Sequence, residues 1–118
     1  PHHRSSAASD VYKRQASDQV PQDGMGQFST FFSQKCYSTN IVSTLSKKIK
    51  INPILIYLSK GDVGYEIVLK STTSEILGVD GANIMNQMFE HEILNKPEEY
   101  AWEYKKYRKV KENINIYK

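Results

Sequence analysis

The chain has 118 residues, of which 39% are hydrophobic and 25% are charged, and its formal net charge is +3. This length suits one small globular domain, and the net charge is too small to indicate a nucleic-acid partner by itself. Cys36 is the only cysteine, so an internal disulfide is excluded, and the longest apolar run, residues 53–58, is far too short to span a bilayer.

The first fifteen residues, PHHRSSAASDVYKRQ, show no hydrophobic periodicity. Residues 5–15 match the in-frame translation of a transposase sequencing adapter at every position. We therefore interpret residues 1–15 as a non-native, disordered tail in preference to a natural basic tail. Excluding this tail removes three Lys/Arg and one Asp, which lowers the net charge from +3 to +1, and it removes His2 and His3 as metal ligands. We expect the natural sequence to begin near Ala16, inside a longer gene.

The next residues predict a strand end followed by a loop and a helix. Residues 16–20 indicate the end of a strand or the turn after it, and residues 21–26 a loop with proline and glycine. Ser38 or Thr39 can cap a helix that ends near residues 48–50, where lysines suit its C-terminus. The aromatic residues that lead into this region are Phe28, Phe31 and Phe32. The apolar residues at helical spacing are Ile41, Val42, Leu45 and Ile49.

Two strands are predicted in the middle of the chain. Residues 53–58, PILIYL, form a nearly continuous apolar run, which is typical of a strand buried on both faces. After a turn at residues 59–64, the alternation in residues 65–70 predicts a second strand that pairs with the first as a hairpin. We expect further strands of the same sheet to precede Ala16.

Two helices are predicted near the C-terminus. Asp80 can cap the first, whose apolar face carries Ala82, Met85, Met88, Phe89 and Ile93. Pro97 interrupts it, and Glu98 and Glu99 suit the first turn of a second helix. A helix between strands, followed by these helices, predicts the α/β fold class.

Several residues are candidates for function, each with a plainer alternative. Asp18 and Gln19 lie where a strand gives way to a loop; such positions form site edges in α/β proteins, although turn chemistry is slightly favoured. Phe31 and Phe32 could line an apolar channel, although core packing is favoured. His91 is interpreted as a surface residue. No metal- or cofactor-binding motif is present, and we expect neither group.

The segment PEEYAWEYKKYR, residues 97–108, combines aromatic and cationic residues. As a helix it would place Tyr100, Tyr104 and Tyr107 on one face, with Trp102 roughly opposite. Its cations would form a solvated face or meet anionic headgroups or phosphorylated ligands. The cations concerned are Lys105, Lys106 and Arg108.

This segment closely resembles the C-terminal signature of the bacterial lipid A biosynthesis (lauroyl/myristoyl) acyltransferases, P-E-Q-Y-L-W-x-H-R-R-F-K. The segment SDQVPQDGMGQFSTFF resembles the D-Q-x-P…G…FFG segment of the same family, with Ser33 in place of the last glycine. PILIYL and GYEIVL stand where the family has two strands. The resemblance covers nearly all of residues 16–118 and implies the C-terminal part of an acyltransferase αβ sandwich, with a mixed sheet flanked by helices.

The resemblance implies transfer of a fatty acyl chain from acyl carrier protein to a hydroxyl of a glycolipid, a lipid A precursor, at the cytoplasmic face of the bacterial inner membrane. The family's His-x4-Asp/Glu motif, in which histidine is the general base, is expected upstream of residue 16, so we expect residues 16–118 alone to be inactive. Asp18 and Gln19 would lie at the active-site edge, and Phe31 and Phe32 would wall the acyl channel. Contacts to anionic lipid or phosphate would come from Lys105, Lys106 and Arg108.

Two other functions stay open. An acyltransferase of the same superfamily could act on another glycolipid, such as a mannosylated phosphoinositide. Alternatively, residues 16–118 could be a small basic module that binds RNA or an anionic membrane, and it would then show salt-dependent binding. The interpretation as a lipid A acyltransferase implies no nucleic-acid partner.

Overall fold

The computed structural model describes residues 17–109, so residues 1–15, interpreted as an adapter tail, lie outside the described part. The elements in chain order are β1 (Gly26–Phe31), β2 (Gln34–Thr39), α1 (Ile41–Ser46), β3 (Ile54–Gly61), β4 (Gly64–Ser71), a 3-10 helix (Ser74–Leu77), α2 (Gly81–Asn95) and a second 3-10 helix (Pro97–Glu99). The combination of helices and strands confirms the predicted α/β class. The described strands form two antiparallel hairpins, β1–β2 and β3–β4, in which each strand pairs with its neighbour in sequence. The mixed sheet of the acyltransferase sandwich stays a prediction.

The β1–β2 hairpin was not predicted as such from the sequence. Its strands pair from Gly26 opposite Thr39 to Phe31 opposite Gln34, so Phe32 and Ser33 form a two-residue turn. Both turn residues have positive φ, 48° for Phe32 and 64° for Ser33. Two-residue hairpin turns of this kind favour Gly and Asn. The usual sequence signal for a tight hairpin is therefore missing.

Helix α2 covers the outer edge of β1 with polar side chains. The Asn83 Oδ1 atom accepts a hydrogen bond from Thr30 N at 2.9 Å, and the Asn86 Nδ2 atom donates to Thr30 O at 3.0 Å. One turn further on, the Glu90 carboxylate accepts from Phe32 N at 2.5 Å. An uncovered strand edge would leave these backbone groups unpaired, so α2 takes the place of a neighbouring strand.

Helix α2 largely follows its prediction. Asp80 occupies the predicted N-cap position, although its carboxylate accepts from Asn83 Nδ2 at 2.6 Å and makes no hydrogen bond to the helix backbone. On the predicted apolar face, Ala82 and Met85 are buried, and the more C-terminal members are half-buried. The face therefore makes its closest packing in its first two turns.

Helix α1 is shorter than predicted. It begins after Asn40, not after Ser38 or Thr39, although the Thr39 hydroxyl does accept from Ile41 N at 3.3 Å. It ends at Ser46, before the lysines that were expected to close it. The Ser46 hydroxyl donates to the carbonyl of Leu77 at 3.2 Å, which ties the end of the helix to the first 3-10 helix.

The β3–β4 hairpin is confirmed, with Ile54 opposite Ser71 and Gly61 opposite Gly64. The prediction that β3 is buried on both faces is wrong for this chain, because within residues 17–109 one face of the hairpin has no covering layer. Cross-strand partners share a face, so this surface combines apolar side chains from both strands, each more than half exposed. They are Ile54, Ile56, Leu58, Tyr65, Ile67 and Leu69.

The opposite face of this hairpin contacts α2 and the second 3-10 helix. The Tyr57 hydroxyl donates to Glu92 Oε1 at 2.5 Å, and Lys70 lies 3.8 Å from the same carboxylate oxygen. At the other end, the Ser59 hydroxyl and the backbone N–H of Lys60 both donate to the Glu99 carboxylate. Two carboxylates therefore attach the hairpin to the C-terminal part of the chain.

The predicted C-terminal helix is not formed. Pro97–Glu99 makes a single 3-10 turn, and residues 101–109 continue as a series of non-helical turns. Short backbone bonds such as Trp102 N to Tyr100 O (2.9 Å) and Lys106 N to Tyr104 O (2.9 Å) replace the helical pattern. The proposed helix face of tyrosines therefore does not exist.

Replacing Ser33 with glycine should stabilise the chain. The left-handed backbone at φ 64° costs an L-residue roughly 1–2 kcal/mol, and part of that gain is offset by the greater freedom of glycine in the unfolded chain. We expect Ser33→Gly to raise the free energy of unfolding by about 1 kcal/mol in urea titrations. Ser33→Ala, which keeps the left-handed cost, is the control, and an equal gain from alanine would contradict this explanation.

The Tyr57–Glu92 hydrogen bond should make stability depend on alkaline pH. The bond to Glu92, followed by burial, raises the pKa of Tyr57 from 10.0 to about 12. Its contribution is therefore complete below pH 10 and is lost as the pH rises toward 12. We expect the difference in unfolding free energy between the native chain and Tyr57→Phe to be constant up to about pH 10 and to shrink above it. A difference that does not change with pH would show that the hydroxyl is not bonded to the carboxylate.

Candidate functional site

The predicted site edge, Asp18 and Gln19, lies in a turn before β1. Asp18 is half-buried and Gln19 is exposed. The turn contacts residues 100–109, here called the C-terminal segment, through side chains bonded to its backbone. The Tyr104 hydroxyl accepts from Val20 N at 2.8 Å, and the Lys106 ammonium donates to the Asp18 carbonyl at 2.5 Å. The two ends of the described chain therefore meet at this turn.

Phe31 lies at the centre of an aromatic cluster that joins β1 to the C-terminal segment. It is 1% exposed, and its ring centroid lies 6.1 Å from that of Tyr100 and 6.3 Å from that of Tyr107. The Tyr107 hydroxyl also donates to the backbone carbonyl of Phe31 at 2.8 Å. The Lys106 ammonium lies 4.9 Å from the Phe31 ring centroid. Phe31 is therefore a core residue, as the plainer interpretation held.

Phe32 has a more open position than Phe31. It is half-buried, and its ring lies 4.7 Å from that of Phe31 and 5.8 Å from that of Trp102. Trp102 is itself 54% exposed, and its indole N–H donates to the Pro97 carbonyl at 2.6 Å. Phe32 and Trp102 form an aromatic surface beside the buried cluster.

The three predicted cations do not share one environment. Lys105 and Arg108 are exposed, and the Arg108 guanidinium lies 5.5 Å from the Tyr104 ring centroid. Lys106 is only 2% exposed, and burial lowers its pKa, although Cys36 and Asp18 act in the opposite direction. Its ammonium is therefore not accessible to an external lipid or phosphate. This position corrects the lipid-contact role expected for Lys106.

Among residues 17–109, two buried side-chain oxygens find no hydrogen-bond partner, the Tyr100 hydroxyl and the Asn86 Oδ1 atom. Burial raises the pKa of Tyr100 to about 12, and the negative charge of Asp18 adds to the effect. Tyr104 and Tyr107 differ from Tyr100 because their hydroxyls bond to the backbone.

A buried polar network that the sequence pattern did not predict lies between β1, β2 and α2. The Asn86 amide donates to the hydroxyls of Ser29 and Ser38 at 3.0 Å each, and Ser29 donates to Ser38 at 2.7 Å. Cys36 is fully buried within the same network. One signal was available: Asn86 lies directly after Met85 and four residues after Ala82, on the side of α2 that faces the core. An uncharged amide at such a position indicates a buried polar contact.

The structure brings the predicted site edge, the two phenylalanines and the cations of the C-terminal segment into one region. Lys106 links them because it contacts both Asp18 and Phe31. His91 does not belong to this region. Its side chain is 77% exposed, and its Nε2 atom lies 3.9 Å from Glu92. Between residues 17 and 109, no three His, Cys, Asp or Glu side chains are grouped so that they could hold a metal ion. The region can shape a turn and offer an aromatic surface with adjacent cations.

A comparison with protein-family models decides the relationship. The model of the bacterial lipid A biosynthesis acyltransferases matches residues 14–109, which include the turn, the aromatic cluster and the cations. The chain belongs to the bacterial lipid A biosynthesis acyltransferase family. The match confirms the resemblance seen in the sequence, and the acyltransferase family implies an acyl-transferring parent enzyme. No curated protein sequence matches the chain.

Across residues 17–109, no helix combines the length and the apolar character needed to cross a bilayer. α2 is the longest helix there, with 15 residues.

The tyrosines of the C-terminal segment should respond differently to removal of their hydroxyls. Tyr100→Phe removes a buried hydroxyl that has no partner within residues 17–109, so we expect the free energy of unfolding to stay equal or to rise by up to about 1 kcal/mol. Tyr104→Phe leaves Val20 N without its acceptor, and we expect a loss of about 1 kcal/mol. Urea unfolding of the 118-residue chain measures both, and equal losses in the two variants would contradict the assignment.

Proposed function

We propose that this chain is part of an enzyme that transfers a fatty acyl chain from acyl carrier protein to a hydroxyl of a lipid A precursor. The observation that carries the proposal is the family match across residues 14–109. The structure supports it in one respect: the family's Asp-Gln segment and its C-terminal signature, which are far apart in sequence, pack against each other through Asp18 and Lys106.

In this proposal the chemical step belongs to residues upstream of residue 16. A His-x4-Asp/Glu pair there removes the proton from the acceptor hydroxyl, with the acid orienting the histidine. Asp18 and Gln19 form one edge of the active site. Residues 16–118 alone are then inactive, because they supply the edge of the site and not its base.

The acyl chain would pass along the aromatic surface of Phe32 and Trp102. Phe32 is half-buried and therefore has ring area left to contact an alkyl chain, whereas Phe31 is 1% exposed and supports Phe32 from below. Of the two phenylalanines predicted as channel wall, Phe32 would make the contact and Phe31 would hold it in place.

The exposed cations Lys105 and Arg108 would meet an anionic lipid headgroup or the phosphate carried by acyl carrier protein. Both lie in the C-terminal segment next to the aromatic surface. Such cations at an apolar–polar boundary suit an enzyme at the cytoplasmic face of the inner membrane. Lys106, which is buried, has no part in this contact.

The structure gives less support to a free-standing basic module. Lys106 bonds to the Asp18 carbonyl, and Lys109 pairs with Asp23 and lies 4.4 Å from the Tyr37 ring centroid. These cations are engaged within the chain, which weakens a binding field for RNA or a membrane. An assay that offers different acceptors distinguishes the proposed activity on a lipid A precursor from activity on another glycolipid.

The test compares the 118-residue chain with the acyltransferase encoded by the gene that contains residues 16–118. Both are assayed with acyl carrier protein or coenzyme A as acyl donor, and with a lipid A precursor or a mannosylated phosphoinositide as acceptor. We expect the longer enzyme to acylate the lipid A precursor from acyl carrier protein, and the chain alone to be inactive. Transfer by the longer enzyme to the phosphoinositide alone would overturn the acceptor assignment. Transfer to neither acceptor, with low-salt RNA or vesicle binding by the chain, would favour the basic module.

Charge reversal at the exposed cations should weaken substrate binding. Because each cation near an anionic surface contributes about 1 kcal/mol, the double variant Lys105→Glu, Arg108→Glu should raise KM about tenfold or more, and the effect should decrease at high salt. The control, Lys47→Glu with Lys48→Glu, makes the same charge change at exposed residues beyond α1. Equal effects in both pairs would show a general charge effect and not a local contact.

A further inference from the structure

Lys106 combines a charged group with nearly complete burial. Its side chain is 2% exposed, and none of the carboxylates described in residues 17–109 forms an ion pair with it. Its ammonium instead donates to the Asp18 carbonyl and lies over the Phe31 ring. Burial of an ammonium costs solvation free energy. Proteins tolerate this cost where hydrogen bonds to the ammonium compensate for the lost water. An apolar side chain of the same length would fill the space at lower cost, so the structure indicates a specific use for the charge.

That use is visible in what the ammonium holds. The carbonyl of Asp18 belongs to the peptide bond that leads into Gln19, so the contact fixes the orientation of this peptide plane. The turn is held further by the Tyr104 hydroxyl, which accepts from Val20 N at 2.8 Å. Gln19 itself is left exposed. The C-terminal segment thus fixes the backbone of the turn, while the Gln19 side chain remains exposed to solvent.

The aromatic cluster packs around this contact. Phe31 lies under the ammonium, and Tyr100 and Tyr107 pack on the same ring. The lysine stem is therefore enclosed along its length, and a charge-assisted hydrogen bond in such a setting is stronger than one at the surface.

We propose that Lys106 is a positioning residue for acyl transfer: by binding the Asp18 carbonyl, it sets the Asp18–Gln19 edge of the active site from the C-terminal end of the chain. This inference rests on the proposed function, because it assigns a purpose to an edge that the proposed function places at the active site. It gives Lys106 a role that differs from the one expected for Lys105 and Arg108, which act at the surface.

The test has one arm that needs no activity. Hydrogen exchange is measured in the 118-residue chain and in its Lys106→Met and Lys105→Met variants. Because the Val20 N–H is hydrogen-bonded to the Tyr104 hydroxyl in the turn that Lys106 contacts, we expect Lys106→Met to speed exchange at Val20 about tenfold or more. The β3–β4 hairpin should exchange as in the native chain. Lys105→Met, which alters an exposed neighbour, should change neither region.

The second arm measures kinetics in the longer enzyme. We expect Lys106→Met to lower kcat about tenfold to a hundredfold with little change in KM, because a misplaced edge impairs the reacting geometry more than binding. Lys106→Arg, which keeps a charged donor, should restore most of kcat. Should the methionine variant not fold, Lys106→Gln answers the same question with an uncharged donor.

The outcomes separate the two proposals. Native exchange at Val20 in Lys106→Met would overturn the inference, and so would faster exchange with native kcat, since the contact would then serve stability alone. An arginine variant as impaired as the methionine variant would also overturn it. An inactive native enzyme would overturn the proposed function and with it the kinetic role of Lys106, while the exchange result would still decide whether the lysine holds the turn.

Discussion

The burial of Phe31 is the constraint on which the arrangement of the rest of the chain depends. The residue ends β1, and its ring and carbonyl receive contacts from three side chains of the C-terminal segment. A two-stranded hairpin is marginally stable alone. β1–β2 therefore needs cover, and it obtains cover from two directions, from α2 at its outer edge and from the C-terminal segment at Phe31. The same contacts also position the Asp18–Gln19 turn, which precedes β1.

The sequence was informative where local pattern and final structure agree. The alternation in residues 65–70 and the apolar spacing in α2 predicted a hairpin and a helix that the structure confirms. The β1–β2 hairpin was missed because its turn, Phe32–Ser33, carries no residue that favours positive φ. The prediction of a C-terminal helix was wrong although its local sequence signal was present. A proline followed by acids satisfies the local rule for a helix start, but long-range bonds from Tyr104, Lys106 and Tyr107 hold residues 101–109 in turns. Local propensity is weak against contacts of that kind.

Long-range contacts also limited what the sequence could predict about the candidate site. The family resemblance selected segments that contact each other in the structure, but residue type could not distinguish Lys106 from Lys105, since adjacent lysines in a basic run look alike. Only the fold shows that one ammonium is buried against a carbonyl and the other is at the surface. The buried Asn86 network was similarly hidden, because its partners, Ser29 and Ser38, are far away in sequence and resemble ordinary polar positions. Positions that combine polarity with burial are defined by tertiary structure.

The uncovered face of β3–β4 also governs how the stability of the chain varies with temperature. Its six apolar side chains, from Ile54 to Leu69, are hydrated in the folded chain and remain hydrated after unfolding. They therefore add little to the heat-capacity change of unfolding, which arises from newly exposed apolar surface. We therefore expect a flatter stability curve and a shallower denaturant dependence than in a chain of this length whose hairpin is covered on both faces. A layer that covers this face would steepen both.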